Sequence, residues 1–78
     1  MEQRDVELIQ RYVTNDKNLE ALYREHLDDE RHLEKLNNKP YLTPVEEVER
    51  KNLQKKKLRG RDEIEQILAQ YRKQETLS

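Results

Sequence analysis

The stretch "NNKPYLTPVE" (residues 37–46) ends one helix and begins another, and these two signals decide the fold. Pro40 pushes Lys39 out of the helical region of backbone space. Asn37 or Asn38, just before Lys39, suits the left-handed cap that ends many helices. The preceding helix is therefore predicted to end near Asn37.

The second half of the same stretch starts a helix. Thr43, Pro44 and Glu46 fall at the N-cap, N1 and N3 positions. Thr43 and Glu46 can exchange hydrogen bonds there as a capping box, and proline is favoured at N1. The short turn at residues 38–43 between two long helices predicts that they fold back as an antiparallel hairpin.

Both helices of the predicted hairpin carry an inner stripe of mostly apolar residues. The helix before the turn, residues 16–37, spaces this stripe 3-4-3-4-3, which is typical of a coiled coil. Its members are Leu19, Leu22, His26, Asp29, Leu33 and Leu36. The helix after the turn, residues 44–73, has the stripe Val45, Leu53, Ile64, Ile67, Leu68 and Tyr71, with Gly60 on the same arc. The seam, where the two helices are predicted to pair, is formed by the first stripe together with Leu53, Gly60, Ile64, Ile67 and Tyr71.

A shorter helix is predicted at residues 3–13. The segment "TND" (residues 14–16) offers three N-cap residue types, which favours a break, although nothing in it forbids a continuous helix. Facing residues of the hairpin should have numbers that sum to about 81, so the overhang 64–71 faces residues 10–17. We therefore predict one all-α domain over residues 1–78: a coiled-coil-like antiparallel hairpin whose third helix is covered at its end by the short first helix.

Composition excludes several classes of protein. Only 32% of the 78 residues are hydrophobic, which favours thin helices with one stripe each over a compact globule. Sixteen basic and 17 acidic residues nearly cancel, unlike the basic excess of a general nucleic-acid binder. Without cysteine there is no disulfide, thiol catalysis or thiolate metal site. No apolar run approaches the ~20 residues of a membrane span, and the N-terminal residues do not resemble a signal peptide, so we expect a cytoplasmic protein without a membrane partner.

A basic run at residues 50–61 holds seven basic side chains and no acidic one. The favoured interpretation is a charge-matched pairing of helices, because the facing segment carries Glu20, Glu25, Asp28, Asp29 and Glu30. The same helix adds the i,i+4 pairs Glu46–Arg50, Glu47–Lys51, Arg59–Glu63 and Arg61–Glu65. The alternative is a surface for a protein partner or a polyanion, formed by Lys51, Lys55, Lys56, Lys57, Leu58, Arg59 and Arg61.

The sequence predicts no catalytic, cofactor-binding or metal-binding residue and no small-molecule substrate. His26 and Asp29 lie three residues apart on the seam, but a metal site would need further ligands of suitable type. We expect this polar pair to meet Lys55–Lys57 across the seam and to set which residues pair. Two thin helices offer no pocket for acid–base chemistry.

The only glycine, Gly60, lies in the interior of the third helix. A glycine there costs ~1 kcal/mol relative to alanine. Close approach of the two helix backbones near Ala21 and Leu22 would explain it, and a hinge is the alternative. Substitution by alanine should destabilise the fold in the first case and stabilise it where the position is merely unoptimised.

The segments "LQKKKLRGRDEI" (residues 53–64), "LTPVEEVERKN" (residues 42–52) and "REHLDDERHLEKL" (residues 24–36) resemble the small bacterial YdcH-like proteins. The shared pattern is a His-Leu-Asp segment, then a basic run, a leucine and a basic-Asp-Glu-hydrophobic tail. The resemblance implies a bacterial helical hairpin and no known activity. Gly60 departs from the apolar residue usual in that family, and Arg61 replaces a lysine.

Two functions follow from this architecture. The favoured one is a non-enzymatic interaction or structural protein that self-associates or docks on a larger protein. Val48 and Leu58, which lie off the seam, suggest a second contact surface, and Tyr41 and Leu42 are surplus apolar residues at the turn. The alternative, which the charge balance disfavours, is a nucleic-acid- or nucleoid-associated accessory protein that uses the basic run.

Overall fold

The computed structural model describes residues 2–77, with Leu77 described by its backbone alone. It contains three helices, α1 (Gln3–Tyr12), α2 (Lys17–Asn37) and α3 (Pro44–Leu77), and no strand within the described residues. Helices α2 and α3 form an antiparallel hairpin, and α1 lies against the far end of α3. The molecule measures 52 × 20 × 16 Å. The prediction of an all-α hairpin with a short N-terminal helix is confirmed.

The predicted capping box opens α3. The Glu46 amide donates to Thr43 Oγ1 at 3.2 Å, and the Thr43 amide donates to Glu46 Oε1 at 3.1 Å. Lys39 closes the turn by pairing with the second oxygen of Glu46. This ion pair, together with the bond from the Thr43 amide, lowers the pKa of Glu46. Glu46 is therefore turned towards the loop rather than along the helix, and its predicted pairing with Arg50 is wrong.

The chain breaks between α1 and α2, as "TND" indicated. Val13, Thr14 and Asn15 form a turn, and α2 begins directly after Asp16. The Asp16 side chain caps α2 by accepting from the Leu19 amide at 3.0 Å. Asp16 satisfies an orphan amide at the helix start, which accounts for a break here rather than a continuous helix.

The three helices meet in one apolar core at the end of the molecule far from the turn. Its fully or nearly fully buried members are Leu8, Ile9, Leu19, Ile64 and Leu68. Around them pack the partly buried residues Tyr12, Val13, Leu22, Tyr23, Ile67 and Tyr71. The short first helix therefore covers the apolar end of α3, as its stripe predicted.

Polar contacts between α1 and α3 surround this core. The rings of Tyr12 and Tyr71 stack with centroids 3.9 Å apart. Tyr12 also donates to Glu75 at 2.7 Å, and Arg72 pairs with Asp5. Helix α3 was predicted to end near residue 73 but continues to Leu77, and Glu75 in this last turn bonds to α1.

The pairing of α2 with α3 agrees with the predicted alignment to within one helical turn. Lys56 contacts Glu25 at 3.0 Å and Asp29 at 3.4 Å, and Lys57 contacts Glu30 at 3.8 Å. The residue numbers in these contacts sum to 81, 85 and 87. The mean of these sums lies about three residues above the expected 81, which is within one helical turn.

The half of α3 next to the turn, residues 44–63, is poorly covered. It contains no buried residue, whereas α2 buries Leu33 and Leu36 at the same end of the hairpin. Leu53 is half-buried, and Val45, which was placed in the inner stripe, is 76% exposed. The prediction that Val45 belongs to the inner stripe is therefore wrong. Val45 lies about 80° from Leu53 around the helix, which is too far to reach α2.

Candidate interaction surface

The basic run is divided between two sides of α3. Lys56 and Lys57 point to α2 and pair with its acidic residues, and Arg61 pairs with Glu65 at 3.2 Å within α3. Lys51, Lys55 and Arg59 are exposed, and none of them forms an ion pair with any described residue. Leu58 is 60% exposed. The run is therefore partly a pairing surface within the molecule and partly a free one.

Lys56 is the centre of the charge matching. It lies between Glu25 and Asp29, whose carboxylates stabilise the protonated amine. Its bond to Glu25 and the charge of Asp29 raise the pKa of Lys56. These contacts are solvent-exposed on the lysine side, so they set alignment more than they stabilise the fold.

Only one of the four predicted i,i+4 pairs within α3 is present. Arg61–Glu65 forms, whereas Glu47–Lys51 and Arg59–Glu63 do not come within ion-pair distance, and Glu46 binds Lys39 instead of Arg50. Long exposed side chains gain little from such pairing and lose rotamer freedom in forming it. The correct spacing is therefore a weak guide to an ion pair on a solvated helix face.

His26 and Asp29 are buried on the seam, at 3% and 5% exposure. Asp29 meets Lys56 as predicted. His26 does not meet a lysine: its Nε2 lies 3.0 Å from Glu30 on its own helix, and its Nδ1 has no hydrogen-bond partner. The prediction of a joint His–Asp contact with the basic run is thus right for Asp29 and wrong for His26.

The remaining α2 residues of the predicted seam lie where they were expected. Leu19, Leu33 and Leu36 are buried, and Leu22 is half-buried. On α3, Ile64 is buried and Leu53, Gly60, Ile67 and Tyr71 are half-buried.

Three charged residues lie on the inner side of α3, and of these only Lys57 was expected to face the seam. Glu46, Arg50 and Lys57 are half-buried, and the Nε atom of Arg50 is buried without a hydrogen-bond partner. Together with the apolar residues they complete a regular 4-3 spacing: 46, 50, 53, 57, 60, 64, 67 and 71. That spacing was the available signal, and a search limited to apolar residues missed it because long basic side chains can cover apolar surface with their stems.

The space beside Gly60 contradicts a close approach of the helices. A Cβ atom built on Gly60 would meet no atom within 4 Å, and α3 runs through this residue unbroken. A cleft of about 180 Å³ lies here instead, which we call the Gly60 cleft. It is lined by Leu22, Glu25, His26, Asp29, Lys56, Arg59, Gly60 and Glu63.

Gly60→Ala is expected to stabilise the protein by ~1 kcal/mol, because alanine is the better helix former and its methyl group meets nothing. Thermal unfolding followed by circular dichroism should show a midpoint raised by ~4–8 °C for a domain of this size. A lowered midpoint of the single chain would mean that the helix backbones do touch at this position.

Two apolar grooves flank the turn half of α3. The Val45 groove, about 420 Å³, is lined by Val45, Val48, Glu49, Asn52, Leu53 and Lys56. The Leu58 groove, about 560 Å³, is lined by Glu30, Leu33, Glu34, Asn37, Gln54, Lys57, Leu58 and Arg61. Leu58 and Asn52 are six residues apart and so lie about 120° apart around the helix. The two grooves therefore lie on opposite sides of the hairpin.

Within residues 2–77 no group of three or more His, Asp or Glu side chains is placed to hold a metal ion. None of the three helices, as far as they are described, has an apolar stretch long enough to cross a lipid bilayer. Comparison with protein-family models, with curated proteins and with solved structures gave no significant match. The resemblance to the YdcH-like proteins accordingly stays a prediction.

Proposed function

We propose that this chain is a non-enzymatic interaction protein that acts by self-association through the turn half of α3. The observation that carries the proposal is the placement of its exposed apolar side chains. Of the five large apolar residues exposed in the described chain, four lie in the turn or in this half of α3: Tyr41, Val45, Val48 and Leu58. A bacterial cytoplasm as the setting belongs to the same proposal.

The same half of α3 lacks an apolar core of its own. No residue from 44 to 63 is buried, and its inner positions include the charged residues Arg50 and Lys57. Its apolar side chains Val45, Val48 and Leu58 are exposed to solvent instead. Apolar residues held outward on a regular helix, next to an apolar groove, are the usual form of a helix-docking surface.

The proposal is tested by a double variant, Val45→Asp with Leu58→Asp, which places a charge in both grooves. Chromatography with light scattering should give the wild type a mass above the 9.6 kDa of one chain and give the variant that single-chain mass. Both substituted side chains are at least 60% exposed, so the helix content should be unchanged and the free energy of unfolding of the single chain should change by less than ~0.5 kcal/mol per site.

The control is Gln66→Asp, which adds one negative charge at an exposed position of α3 outside its turn half. It should keep the wild-type mass. A wild type that has the mass of one chain at every concentration would contradict self-association. Loss of helix content in the double variant would show instead that the exposed residues support the fold.

A second candidate function, binding of nucleic acid, is supported by the three unpaired basic residues Lys51, Lys55 and Arg59. Lys51 and Lys55 are exposed on α3, Arg59 is exposed at the edge of the Gly60 cleft, and no aromatic residue lies among them to stack on a base. Counterion release would make duplex binding fall steeply with salt, so a salt titration separates the two functions. Absence of binding at low salt would remove this candidate.

A further inference from the structure

One face of α3 carries five residues that are spaced 4-3-4-4. They are Val45, Glu49, Asn52, Lys56 and Gly60. At about 100° of rotation per residue these positions fall within an arc of about 80°. The arc joins the Val45 groove to the Gly60 cleft, because Lys56 lines both.

The charges on this face complement themselves. Glu49 and Lys56 lie on either side of Asn52, and Glu49 forms no ion pair with any described residue. If a second α3 is laid antiparallel with a two-fold axis between Asn52 and Leu53, residues whose numbers sum to 105 face one another. Glu49 of each copy then faces Lys56 of the other, which gives two equivalent Glu49–Lys56 contacts beside the pairs that Lys56 makes with Glu25 and Asp29 of its own chain.

The shape of this face complements itself under the same operation. The sum of 105 also places Val45 of one copy opposite Gly60 of the other. Val45 is 76% exposed, and the cleft at Gly60 has a volume of about 180 Å³, well above the ~30 Å³ occupied by one water molecule. An exposed valine on one copy thus meets an open cleft, with Leu22 among its walls, on the other.

We propose that two copies of this chain associate as an antiparallel dimer through α3, with Val45 of each copy seated in the Gly60 cleft of the other. The inference rests on the proposed function and names the surface and the partner. Asn52 lies next to the two-fold axis, where its amide can donate to and accept from its counterpart, as polar residues at helix pairings do when they fix alignment. Because Gly60 has no side chain, space is left there for Val45 of the other copy.

The two-fold symmetry limits the assembly through this face to two chains. Each copy uses the same surface, so two chains complete it and no growing edge is left on this face. The Leu58 groove lies on the opposite side of the hairpin and is not covered. Its residues therefore serve as controls for a contact through the Val45 groove.

Asn52→Cys tests the position of the axis. The chain has no cysteine, so the new thiol is the only one. Helices pack with axes ~8–10 Å apart, which brings facing Cα atoms near the axis within the ~4.4–6.8 Å that a disulfide needs. Mild oxidation should convert this variant to a disulfide-linked dimer. The variant Leu58→Cys, in the opposite groove, should form little disulfide-linked dimer.

Gly60→Leu tests the cleft. The new side chain fills the space that Val45 of the partner needs, so the dimer dissociation constant should rise roughly tenfold or more. Leucine is also a far better helix former than glycine, so the single chain should keep or gain thermal stability. Val45→Asp should dissociate the dimer to the same extent, and Leu58→Asp should leave it intact.

The outcomes separate this inference from the function on which it rests. If Gly60→Leu stays dimeric, or if Leu58→Cys cross-links as readily as Asn52→Cys, the inference is wrong. Dissociation by Leu58→Asp but not by Val45→Asp would overturn the inference and keep self-association. A wild type that never exceeds the mass of one chain would overturn both.

Discussion

Replacing Ile64 by alanine is expected to lower the free energy of unfolding by ~2–5 kcal/mol. Ile64 is fully buried where all three helices meet, with Leu8 and Ile9 of α1 and Leu19 of α2 in the same cluster. Truncation removes apolar contacts with both other helices at once and leaves a cavity that a small core cannot close. Domains are commonly stable by only ~5–15 kcal/mol, so this single change removes a large share.

Urea denaturation followed by circular dichroism measures this loss, and Leu53→Ala is the matched control. Leu53 lies on the same inner side of α3, but it is half-buried and in the part next to the turn. Its truncation should cost clearly less than that of Ile64. Equal losses at the two positions would mean that the hairpin is packed evenly along its length, contrary to the burial described above.

Replacing Asp16 by alanine is expected to cost ~2 kcal/mol or more, because one carboxylate has two structural roles. It caps α2 through the Leu19 amide and accepts from the Tyr71 hydroxyl of α3 at 2.5 Å. The variant loses the cap and one of the links between the start of α2 and the end of α3. Asp16→Asn should cost less, because asparagine is an equally good N-cap.

Because of Asp16, the protein is also expected to lose stability in acid. The hydrogen bond from Tyr71, followed by that from the Leu19 amide, lowers the pKa of Asp16 below its ordinary value of 3.8. A lowered folded-state pKa means that this stabilisation is fully present above the ordinary value and is lost as the pH falls through the folded one. Unfolding free energies measured over this range should fall more steeply for the wild type than for Asp16→Asn. Identical slopes would show that Tyr71 does not stabilise the charged carboxylate.

The local signals in the sequence predicted the helices well. Thr43, Pro44 and Glu46 act within a few residues of one another, and the capping box forms as their types and spacing require. The break before Asp16 follows from the same kind of contact. The end of α3 was less predictable, because its last turn bonds through Glu75 to residues of α1 more than 60 positions away.

The candidate surface was only partly predictable. That Leu58 and Val48 lie off the seam follows from helical rotation, and both are exposed. The exposure of Val45 and the open space at Gly60 were not predicted, because each depends on how far α2 stands from α3 at that level. In this half of α3 the half-buried inner positions include the charged residues Arg50 and Lys57.

Helix order, the capping box and the hairpin turn are therefore properties of short segments, since hydrogen bonds between near neighbours decide them. The division of the basic run into paired and free residues is a property of the packed molecule. Lys56 faces Glu25 and Asp29 only because the turn sets the alignment of two helices, and Lys55, one residue earlier, is turned to solvent by the same geometry. The Gly60 cleft arises in the same way: a missing side chain becomes a cavity only when the facing helix supplies the other wall.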